Sequence, residues 1–329
     1  KNNQTFLRIN NHSMRHFITL RDFNTTQILT MIRRSLELKK LIKANTSTGL
    51  HDQFKGKTLG MIFTKPSTRT RVSAETGWSF YGGHPLFLGL QDIQLGKGEP
   101  LHVTSKVVSS MVDCLLARVG DHTEIEELRD HSSVPVINAL TATYHPLQIL
   151  ADVMTMYEEY VPDAEEPLPP LPPLTVTWIG DANNILNSMM VTYTRLGLRL
   201  KVATPKGYEV NEEILAYGRK FGEIEVYNDP LKAVKDSDVI VTDTWVSMGQ
   251  ESEKQARLEA FQGYQVSEEM AKAGQAKASW KFMHCLPRKE YEVNDEVFYG
   301  NRSIVYREAE NRKYTVMSVY EYVMNSSSN

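Results

Sequence analysis

The stretch that decides the fold runs from Phe63 to Arg71 and reads Phe-Thr-Lys-Pro-Ser-Thr-Arg-Thr-Arg. The apolar run from Leu59 to Phe63 predicts a buried strand, and the periodic segment from Val72 to Tyr81 predicts a helix. Ser67 to Thr70 should therefore lie where a strand turns into a helix N-terminus. Free backbone N–H groups and the positive end of the helix dipole make such a position favourable for an anion.

The side chains of this turn suit a phosphate group. Ser67 and Thr68 offer hydroxyl donors, and Arg69 can hold two phosphate oxygens at once. The alternative is a simple helix cap, in which the hydroxyl groups satisfy backbone N–H groups and Arg69 and Arg71 are solvated charges. Arg69 favours the anion site, because a cation in the first helical turn opposes the dipole unless an anion lies there.

Length and composition indicate a globular protein large enough for two domains. The chain has 329 residues, of which 41% are hydrophobic and 23% charged, with a net charge of −3. This charge provides no electrostatic footprint for nucleic acid. No apolar run approaches the roughly 20 residues that a membrane helix needs. The two cysteines, Cys114 and Cys285, lie far apart, and no metal site is expected from them.

Strand and helix patterns alternate along the chain, which predicts an α/β fold with two domains, each a mostly parallel sheet flanked by helices. A final helix is predicted near the C-terminus. The predicted strands are Leu59 to Phe63, Pro85 to Leu88, Cys114 to Val119, Val134 to Leu140, Leu174 to Ile179, Arg199 to Ala203, Glu223 to Tyr227, Val239 to Thr242 and Lys281 to His284.

A proline-rich stretch from Val161 to Pro173 separates the two halves. Five prolines in its last seven residues forbid a helix or a central strand. Pro169 and Pro172 fit a P-x-x-P recruitment motif, but a stiff surface loop at the domain boundary is the favoured interpretation.

The second half lacks a dinucleotide fingerprint. Its first predicted strand is followed by Gly180-Asp181-Ala182-Asn183-Asn184, where a dinucleotide-binding fold would carry G-x-G-x-x-G. A nicotinamide or flavin enzyme is therefore rejected.

Ser67-Thr68-Arg69-Thr70-Arg71 resembles the carbamoyl phosphate motif of the aspartate and ornithine carbamoyltransferase family. Three further stretches resemble the ornithine branch of that family, and the likeness runs from about His16 to Val323. They are Gly180 to Asn184, Asp243 to Gly249 with its Ser-Met-Gly run, and His284-Cys285-Leu286-Pro287-Arg288, while Glu310-Asn311-Arg312 resembles the Glu-Asn-Arg motif of the whole family.

The resemblance implies a carbamoyl phosphate site in which Arg118 and His145 meet the carbonyl oxygen and Gln148 meets the carbamoyl amide. It implies a homotrimer with shared sites, because Gln94 matches a loop residue that reaches a neighbouring subunit. The full implied set is Ser67, Thr68, Arg69, Thr70, Gln94, Arg118, His145, Gln148 and Arg312. Taken alone, these residues allow simpler interpretations: a strand-end arginine reaching solvent, a helix cap with a surface glutamine, and a solvated helix charge.

The resemblance also implies an ornithine site made of Asn184, Asp243, Ser247, Met248, Cys285 and Leu286. Asp243 and Ser247 match partners of the α-amino group, and Cys285 with the Leu286 carbonyl faces the side-chain amine. By themselves Asp243 would suit a helix N-cap and Cys285 a buried structural residue. A thiolate at Cys285 would favour a nearby ammonium and steer it.

The implied activity is transfer of the carbamoyl group from carbamoyl phosphate to the δ-amine of L-ornithine, giving L-citrulline and phosphate. Its catalytic residues would be Cys285, Arg118, His145 and Arg312, with no cofactor and no metal. The implied domains are 1–150, joined by a C-terminal helix at 308–325, for carbamoyl phosphate, and 151–307 for ornithine. The implied location is the mitochondrial matrix, with the cytoplasm as the alternative.

Two other functions remain open at the level of sequence. One is a carbamoyltransferase for another amine, such as a diamine, which would lack the head-group site around Asp243 and Ser247. The other is a non-catalytic regulatory partner of another enzyme. Loss of Arg69, Arg118 or Cys285 would favour that role, and all three are present.

Overall fold

The computed structural model describes residues 14–95, 98–162 and 167–325. Nine strands in these residues form two parallel sheets, a four-stranded sheet of order β2-β1-β3-β4 and a five-stranded sheet of order β7-β6-β5-β8-β9. The predicted α/β fold with two parallel-sheet domains is thus confirmed, and every predicted strand lies within two residues of its observed bounds. The strands are β1 (Thr58–Phe63), β2 (His84–Gly89), β3 (Cys114–Arg118), β4 (Val136–Leu140), β5 (Thr175–Ile179), β6 (Arg199–Ala203), β7 (Ile224–Tyr227), β8 (Val239–Thr242) and β9 (Lys281–His284).

Helices cover the sheets. The described part of the chain also has four short 3-10 helices, at Leu20–Asp22, Thr48–Leu50, Thr194–Leu196 and Glu251–Glu253. Three short α-helices, at Pro230–Ala233, Glu268–Ala273 and Asp295–Phe298, have only one or two turns, which is too short to produce a helical period in the sequence. The α-helices are α1 (Thr25–Lys43), α2 (Thr68–Phe80), α3 (Leu101–Ser109), α4 (His122–His131), α5 (Pro146–Tyr160), α6 (Asn184–Thr192), α7 (Glu212–Arg219), α8 (Pro230–Ala233), α9 (Lys254–Ala260), α10 (Glu268–Ala273), α11 (Asp295–Phe298) and α12 (Val305–Met324).

The central strands are buried on both faces, which explains their nearly continuous apolar runs. Every residue of β3, β5 and β8 is buried. Phe63 at the end of β1 pairs with Arg118 at the end of β3, and Thr242 at the end of β8 pairs with His284 at the end of β9. The chain therefore brings the loops that follow these strands to one edge of each sheet.

The C-terminal helix α12 begins at Val305, three residues before the predicted start, and packs on the first half of the chain. The Ser318 hydroxyl donates to the Met31 carbonyl of α1 over 2.9 Å, and the Tyr320 hydroxyl donates to the Ala74 carbonyl of α2 over 3.0 Å. These buried hydrogen bonds fix the C-terminal half of the helix. Nearer its middle, Asn311 Nδ2 donates to the Thr155 hydroxyl of α5 over 2.8 Å, so this part is also fixed relative to the first half of the chain.

The proline-rich stretch has neither helix nor strand in its described part, as the prolines predict, and residues 163–166 fall outside the described residues. Leu171 is buried, and the Tyr157 hydroxyl donates to the Pro169 carbonyl over 3.0 Å. This part of the stretch therefore packs on the protein. Among the helices of the described residues, none has the length and apolarity needed to cross a membrane.

Candidate active site

A cleft of about 790 Å³ collects fourteen of the fifteen predicted site residues. Gln94 lies outside it and is exposed on the surface. The predicted residues that line the cleft are Ser67, Thr68, Arg69, Thr70, Arg118, His145, Gln148, Asn184, Asp243, Ser247, Met248, Cys285, Leu286 and Arg312.

Sheet topology explains why residues so distant in sequence meet. In parallel α/β sheets, ligands bind beyond the carboxyl ends of the strands, where the strand order reverses direction. This reversal falls between β1 and β3 in the first sheet and between β5 and β8 in the second. The turn after β1, the end of β3, and the loops after β5 and β8 all contribute to the cleft.

The turn after β1 is a capped helix N-terminus, as predicted. The Ser67 side chain accepts a hydrogen bond from the Thr70 backbone N–H over 3.3 Å, so that Ser67 is the N-cap and α2 begins at Thr68. The cap and the anion site are therefore compatible, since the cap uses only one of the free N–H groups of the first turn.

Three arginines point their charge toward the same space. Burial, together with the charge of Arg69, lowers the pKa of both Arg118 and Arg312 to about 10. Arg118 is 8% and Arg312 is 3% exposed, so the interpretations as a solvent-reaching strand end and a solvated helix charge are wrong. The Nε atoms of both residues are buried without a hydrogen-bond partner among the described residues. A polyvalent anion would satisfy these donors and reduce the repulsion.

His145 is the N-cap of α5 and stands beside these cations. Its backbone N–H donates to the Ser188 hydroxyl over 2.9 Å, and its Nδ1 is buried with no partner in the described part of the chain. Burial, with the charges of Arg312 and Arg118, lowers the pKa of His145 well below its usual value. The imidazole is therefore neutral at physiological pH and can donate one hydrogen bond to a ligand without adding charge.

Gln148 lies on the same helix, one turn further on, and is 1% exposed, so the surface-glutamine interpretation is wrong. Its amide oxygen accepts a hydrogen bond from Arg312 Nη1 over 2.8 Å. Arg312 Nη2 in turn donates to the Thr70 hydroxyl over 3.1 Å. Helices α2, α5 and α12 are thus joined at the predicted phosphate end of the cleft.

Asp243 is the centre of the other end of the cleft. It is 5% exposed, and it accepts hydrogen bonds from the Cys285 thiol over 2.7 Å and from Asn183 Nδ2 over 2.8 Å. No helix begins at Asp243, so the N-cap interpretation is wrong. Asn184, a member of the implied ornithine site, donates from Nδ2 to the Thr141 carbonyl over 2.7 Å.

Cys285 is a thiol in this structure. Burial, and next the negative charge of Asp243, raises the pKa of Cys285 well above its usual value. The sulfur donates its proton to Asp243, which a thiolate could not do. The surroundings of Cys285 therefore oppose the thiolate considered from the sequence, because a second negative charge beside Asp243 would be destabilised.

The Ser-Met-Gly loop lines the mouth of the cleft. The Ser247 backbone N–H donates to the Gln250 side chain over 3.0 Å, and Met248 is 49% exposed. Gly249 has a φ of 90°, a conformation that side chains disfavour, and its N–H donates to the Glu251 carboxylate. The glycine thus allows the sharp reversal that returns the loop to the cleft.

Three residues of metal-ligand type lie together next to this end, but their ligand atoms already have hydrogen-bond partners. The ligand atoms of Asp243, His284 and Cys285 lie within 4.8 Å of one another. His284 Nδ1 accepts a hydrogen bond from the Leu286 N–H over 2.8 Å, and its Nε2 lies 3.0 Å from a Glu292 oxygen. A metal ion would have to replace these contacts and the thiol hydrogen bond.

The two ends of the cleft meet at a direct contact between the domains. Arg69 Nη2 donates to the Leu286 carbonyl over 2.8 Å. One residue from the predicted phosphate site thus touches one from the predicted amino-acid site. This proximity is what transfer of a small group between two substrates requires.

Several residues of the cleft and its support were missed by the sequence analysis. Asn183 binds Asp243, while Asp152 and Glu308 both accept hydrogen bonds from the Gln148 amide. A usable signal was present for the two acids: Asp152 follows Gln148 by four positions, and Arg312 follows Glu308 by four, so each pair shares a helix face. Nothing in the sequence alone distinguishes Asn183 from a surface residue.

Comparison with protein families gives two consecutive matches. The carbamoyl phosphate-binding domain of aspartate/ornithine carbamoyltransferases matches residues 15–158, and the aspartate/ornithine-binding domain matches residues 173–323. The chain belongs to the aspartate/ornithine carbamoyltransferase family.

Individual members of this family are similar over almost the whole chain. The mitochondrial ornithine carbamoyltransferase of Emericella nidulans is 49% identical over 321 residues, which cover 94% of this chain and 89% of that protein. The crystal structure of the mitochondrial enzyme from Coccidioides immitis superposes with a TM-score of 0.88 at 45% identity, covering 95% and 98% of the two chains. The ornithine carbamoyltransferase of Pyrococcus furiosus superposes with a TM-score of 0.86 at 40% identity, covering 94% and 97%.

The first prediction concerns anion binding in this carbamoyltransferase fold. Arg69→Ala should weaken binding of inorganic phosphate by about tenfold or more, because one charge-assisted contact is lost. Isothermal titration calorimetry measures the change. The matched control is Arg71→Ala, since Arg71 is exposed and bound to Glu75 over 2.7 Å. Equal weakening in both variants would contradict the site.

The second prediction concerns His145 and acid stability. The folded state holds this imidazole neutral, whereas the unfolded chain is protonated below about pH 6.5. The folded state therefore keeps its full unfolding free energy above that pH and loses part of it as the pH falls below, because the unfolded chain then binds a proton that folded His145 does not. Wild type should lose about 1.4 kcal/mol of unfolding free energy per pH unit more than His145→Gln between pH 6 and 5.

Urea unfolding at a series of pH values measures this difference, and His84→Gln, at an exposed histidine, is the control. Parallel curves for wild type and His145→Gln would mean that the folded state also protonates His145.

Proposed function

We propose that this chain is an ornithine carbamoyltransferase, which transfers the carbamoyl group of carbamoyl phosphate to the δ-amine of L-ornithine and releases L-citrulline and phosphate. The observation that carries the proposal is the contact of Arg69 with the Leu286 carbonyl, which joins a cationic pocket to a pocket built around Asp243. The names of the relatives support the same reaction.

Carbamoyl phosphate binds at the cationic end. The helix N-terminus at Ser67 to Thr70 and the guanidinium group of Arg69 hold the phosphate. Arg118, Arg312 and the neutral His145 meet the carbonyl oxygen, and Gln148 meets the carbamoyl amide. Gln94 of an adjacent subunit completes the site in a homotrimer, and its exposure outside the cleft of its own chain agrees with that role.

Ornithine binds at the other end. Asn184 and the Met248 backbone N–H meet the α-carboxylate, while Asp243 and Ser247 meet the α-amino group. Cys285 and the Leu286 carbonyl face the δ-amine. The buried charge of Asp243 gives this end a preference for a cationic amino group over a second carboxylate.

The neutral δ-amine attacks the carbamoyl carbon, and the carbonyl oxygen becomes an oxyanion. Arg118, His145 and Arg312 stabilise that oxyanion with donors that are already in position. The intermediate then collapses, the C–O bond to phosphate breaks, and phosphate takes a proton from the amine. Closure of the domains around both substrates excludes water. None of these steps requires a metal or a covalent bond between substrate and protein.

The domain that binds carbamoyl phosphate comprises residues 1–150 and the C-terminal helix 308–325, and the domain that binds ornithine comprises 151–307. The hydrogen bonds from α12 to α1 and α2 support this division. Location in the mitochondrial matrix is supported by relatives named as mitochondrial enzymes.

The reaction is tested by measuring citrulline formation from carbamoyl phosphate and ornithine near pH 8. Putrescine and aspartate serve as alternative amine acceptors in matched reactions. Citrulline with ornithine, and no carbamoylated product with the other two, is the expected result. Product with putrescine or aspartate would mean that the Asp243 end is misassigned. No product with any acceptor would favour the regulatory-partner function.

The same assay tests the role of the Cys285 thiol. Cys285→Ala removes the hydrogen bond to Asp243, so kcat/KM for ornithine should fall by about tenfold or more. Cys285→Ser keeps an O–H donor and should retain a larger share of the activity. Phosphate binding should stay within about twofold of wild type in both variants, since the thiol does not contact the arginines. Equal activity of Cys285→Ala and wild type would rule out this role.

A further inference from the structure

The amide of Gln148 is held in one orientation by its neighbours. Both hydrogens of Nε2 are used, one on Asp152 Oδ1 over 2.8 Å and one on Glu308 Oε1 over 3.0 Å. The amide oxygen accepts from Arg312 Nη1 over 2.8 Å. Rotation of the amide by 180° would place its oxygen against two carboxyl groups and its hydrogens against a guanidinium group. The surroundings therefore exclude the flipped orientation.

The two acids that hold the amide form a buried pair. Asp152 and Glu308 are each 1% exposed and share a hydrogen bond. Such a bond needs a proton, because two bare carboxylates repel each other. Burial and the charge of Asp152 raise the pKa of Glu308 well above its usual value, so that Glu308 carries the shared proton and donates it to Asp152.

Glu308 also reaches the amino-acid end of the cleft. Its second oxygen, Oε2, accepts a hydrogen bond from the backbone N–H of His284 over 3.0 Å. Glu308 thus needs both oxygens as acceptors, one for Gln148 and one for His284, while its proton serves Asp152. An amide at this position could satisfy only two of the three contacts.

The consequence for the cleft is a fixed hydrogen-bond polarity. Gln148 has no free hydrogen to offer a ligand, but its oxygen has a second lone pair beside the one used by Arg312. The position therefore accepts a hydrogen bond and does not donate one. A carbamoyl NH2 group can supply that hydrogen, whereas an acetyl methyl group of nearly the same size cannot.

We propose that Asp152 and Glu308 are positioning residues that make the cleft select carbamoyl phosphate over acyl phosphates that lack an N–H group. They do so by holding the Gln148 amide with its oxygen toward the ligand. This inference rests on the proposed function, because it assumes that carbamoyl phosphate lies next to Gln148. Neither acid lines the cleft, so each would act on selectivity through Gln148.

Binding to wild-type protein is the first test. Isothermal titration with freshly dissolved carbamoyl phosphate, acetyl phosphate and inorganic phosphate, without ornithine, provides three affinities. Carbamoyl phosphate should bind about tenfold or more tightly than acetyl phosphate, because the acetyl methyl group would cover the second lone pair of the Gln148 oxygen without donating a hydrogen bond to it. Affinities within about twofold of each other would overturn the proposal, and this result does not depend on any variant folding.

Two isosteric variants then separate positioning from a structural role. Glu308→Gln places a new N–H donor against the Gln148 amide N–H or against the His284 backbone N–H. The preference for carbamoyl over acetyl phosphate should therefore fall below about threefold. Asp152→Asn should keep most of the preference, because its amide oxygen still accepts from Gln148 and its nitrogen donates to Glu308. Glu310→Gln, on the same helix but bound to Lys43 on the surface, is the control.

A purely structural role would lower the unfolding temperature of both variants and leave the ratio of affinities unchanged, which would overturn the proposal. Loss of the ratio in Asp152→Asn, or its retention in folded Glu308→Gln, would do the same. If wild type forms citrulline but binds acetyl phosphate equally well, only this inference fails. If wild type does not bind carbamoyl phosphate at all, the proposed function fails with it.

Discussion

Three guanidinium groups around one cleft, two of them buried, are the constraint on which the rest of the site depends. Among the described residues no ion pair joins Arg69, Arg118 or Arg312 to a carboxylate, and burial, followed by their mutual repulsion, lowers the pKa of Arg118 and Arg312. Such an arrangement is unfavourable in an empty protein and becomes favourable when an anion enters. Burial, with the charges of Arg312 and Arg118 next, lowers the pKa of His145 and keeps its imidazole neutral. The fold thus holds these cations in place before a ligand binds, and binding of an anion relieves their repulsion.

This cationic cluster can persist because its members stand on separate, well-anchored elements. Arg69 belongs to α2, Arg118 ends a fully buried strand, and Arg312 lies on α12, which is tied to α1 and α2 by buried hydrogen bonds. Helix α12 has a second role at the site. It carries Glu308 one turn before Arg312, so a single helix supplies both a cation of the cleft and an acid that holds the Gln148 amide. The electrostatics of the cleft are therefore coupled to the docking of the C-terminal helix.

The amino-acid end is organised around one negative charge instead. Asp243 accepts from the Cys285 thiol and from Asn183, and the thiol stays protonated because Asp243 is beside it. The opposite charges of the two ends suit two substrates of different character, an anionic phosphate and a cationic amino acid. The contact between Arg69 and the Leu286 carbonyl places the cationic end and the Asp243 end side by side, close enough for a small group to pass from one substrate to the other.

The sequence by itself determined the α/β architecture and the strands of the described residues, because apolar runs and turn residues are local patterns. Most residues of the cleft were identified through the resemblance of motifs such as Ser-Thr-Arg-Thr-Arg and Ser-Met-Gly to a known family. It did not determine protonation or orientation. Burial and neighbouring charge come from residues far apart in the chain, as with Glu308 beside Asp152 and Asp243 beside Cys285. Only the tertiary structure could therefore decide that Cys285 is a thiol, that Arg118 and Arg312 are buried, and that Gln148 turns its oxygen toward Arg312.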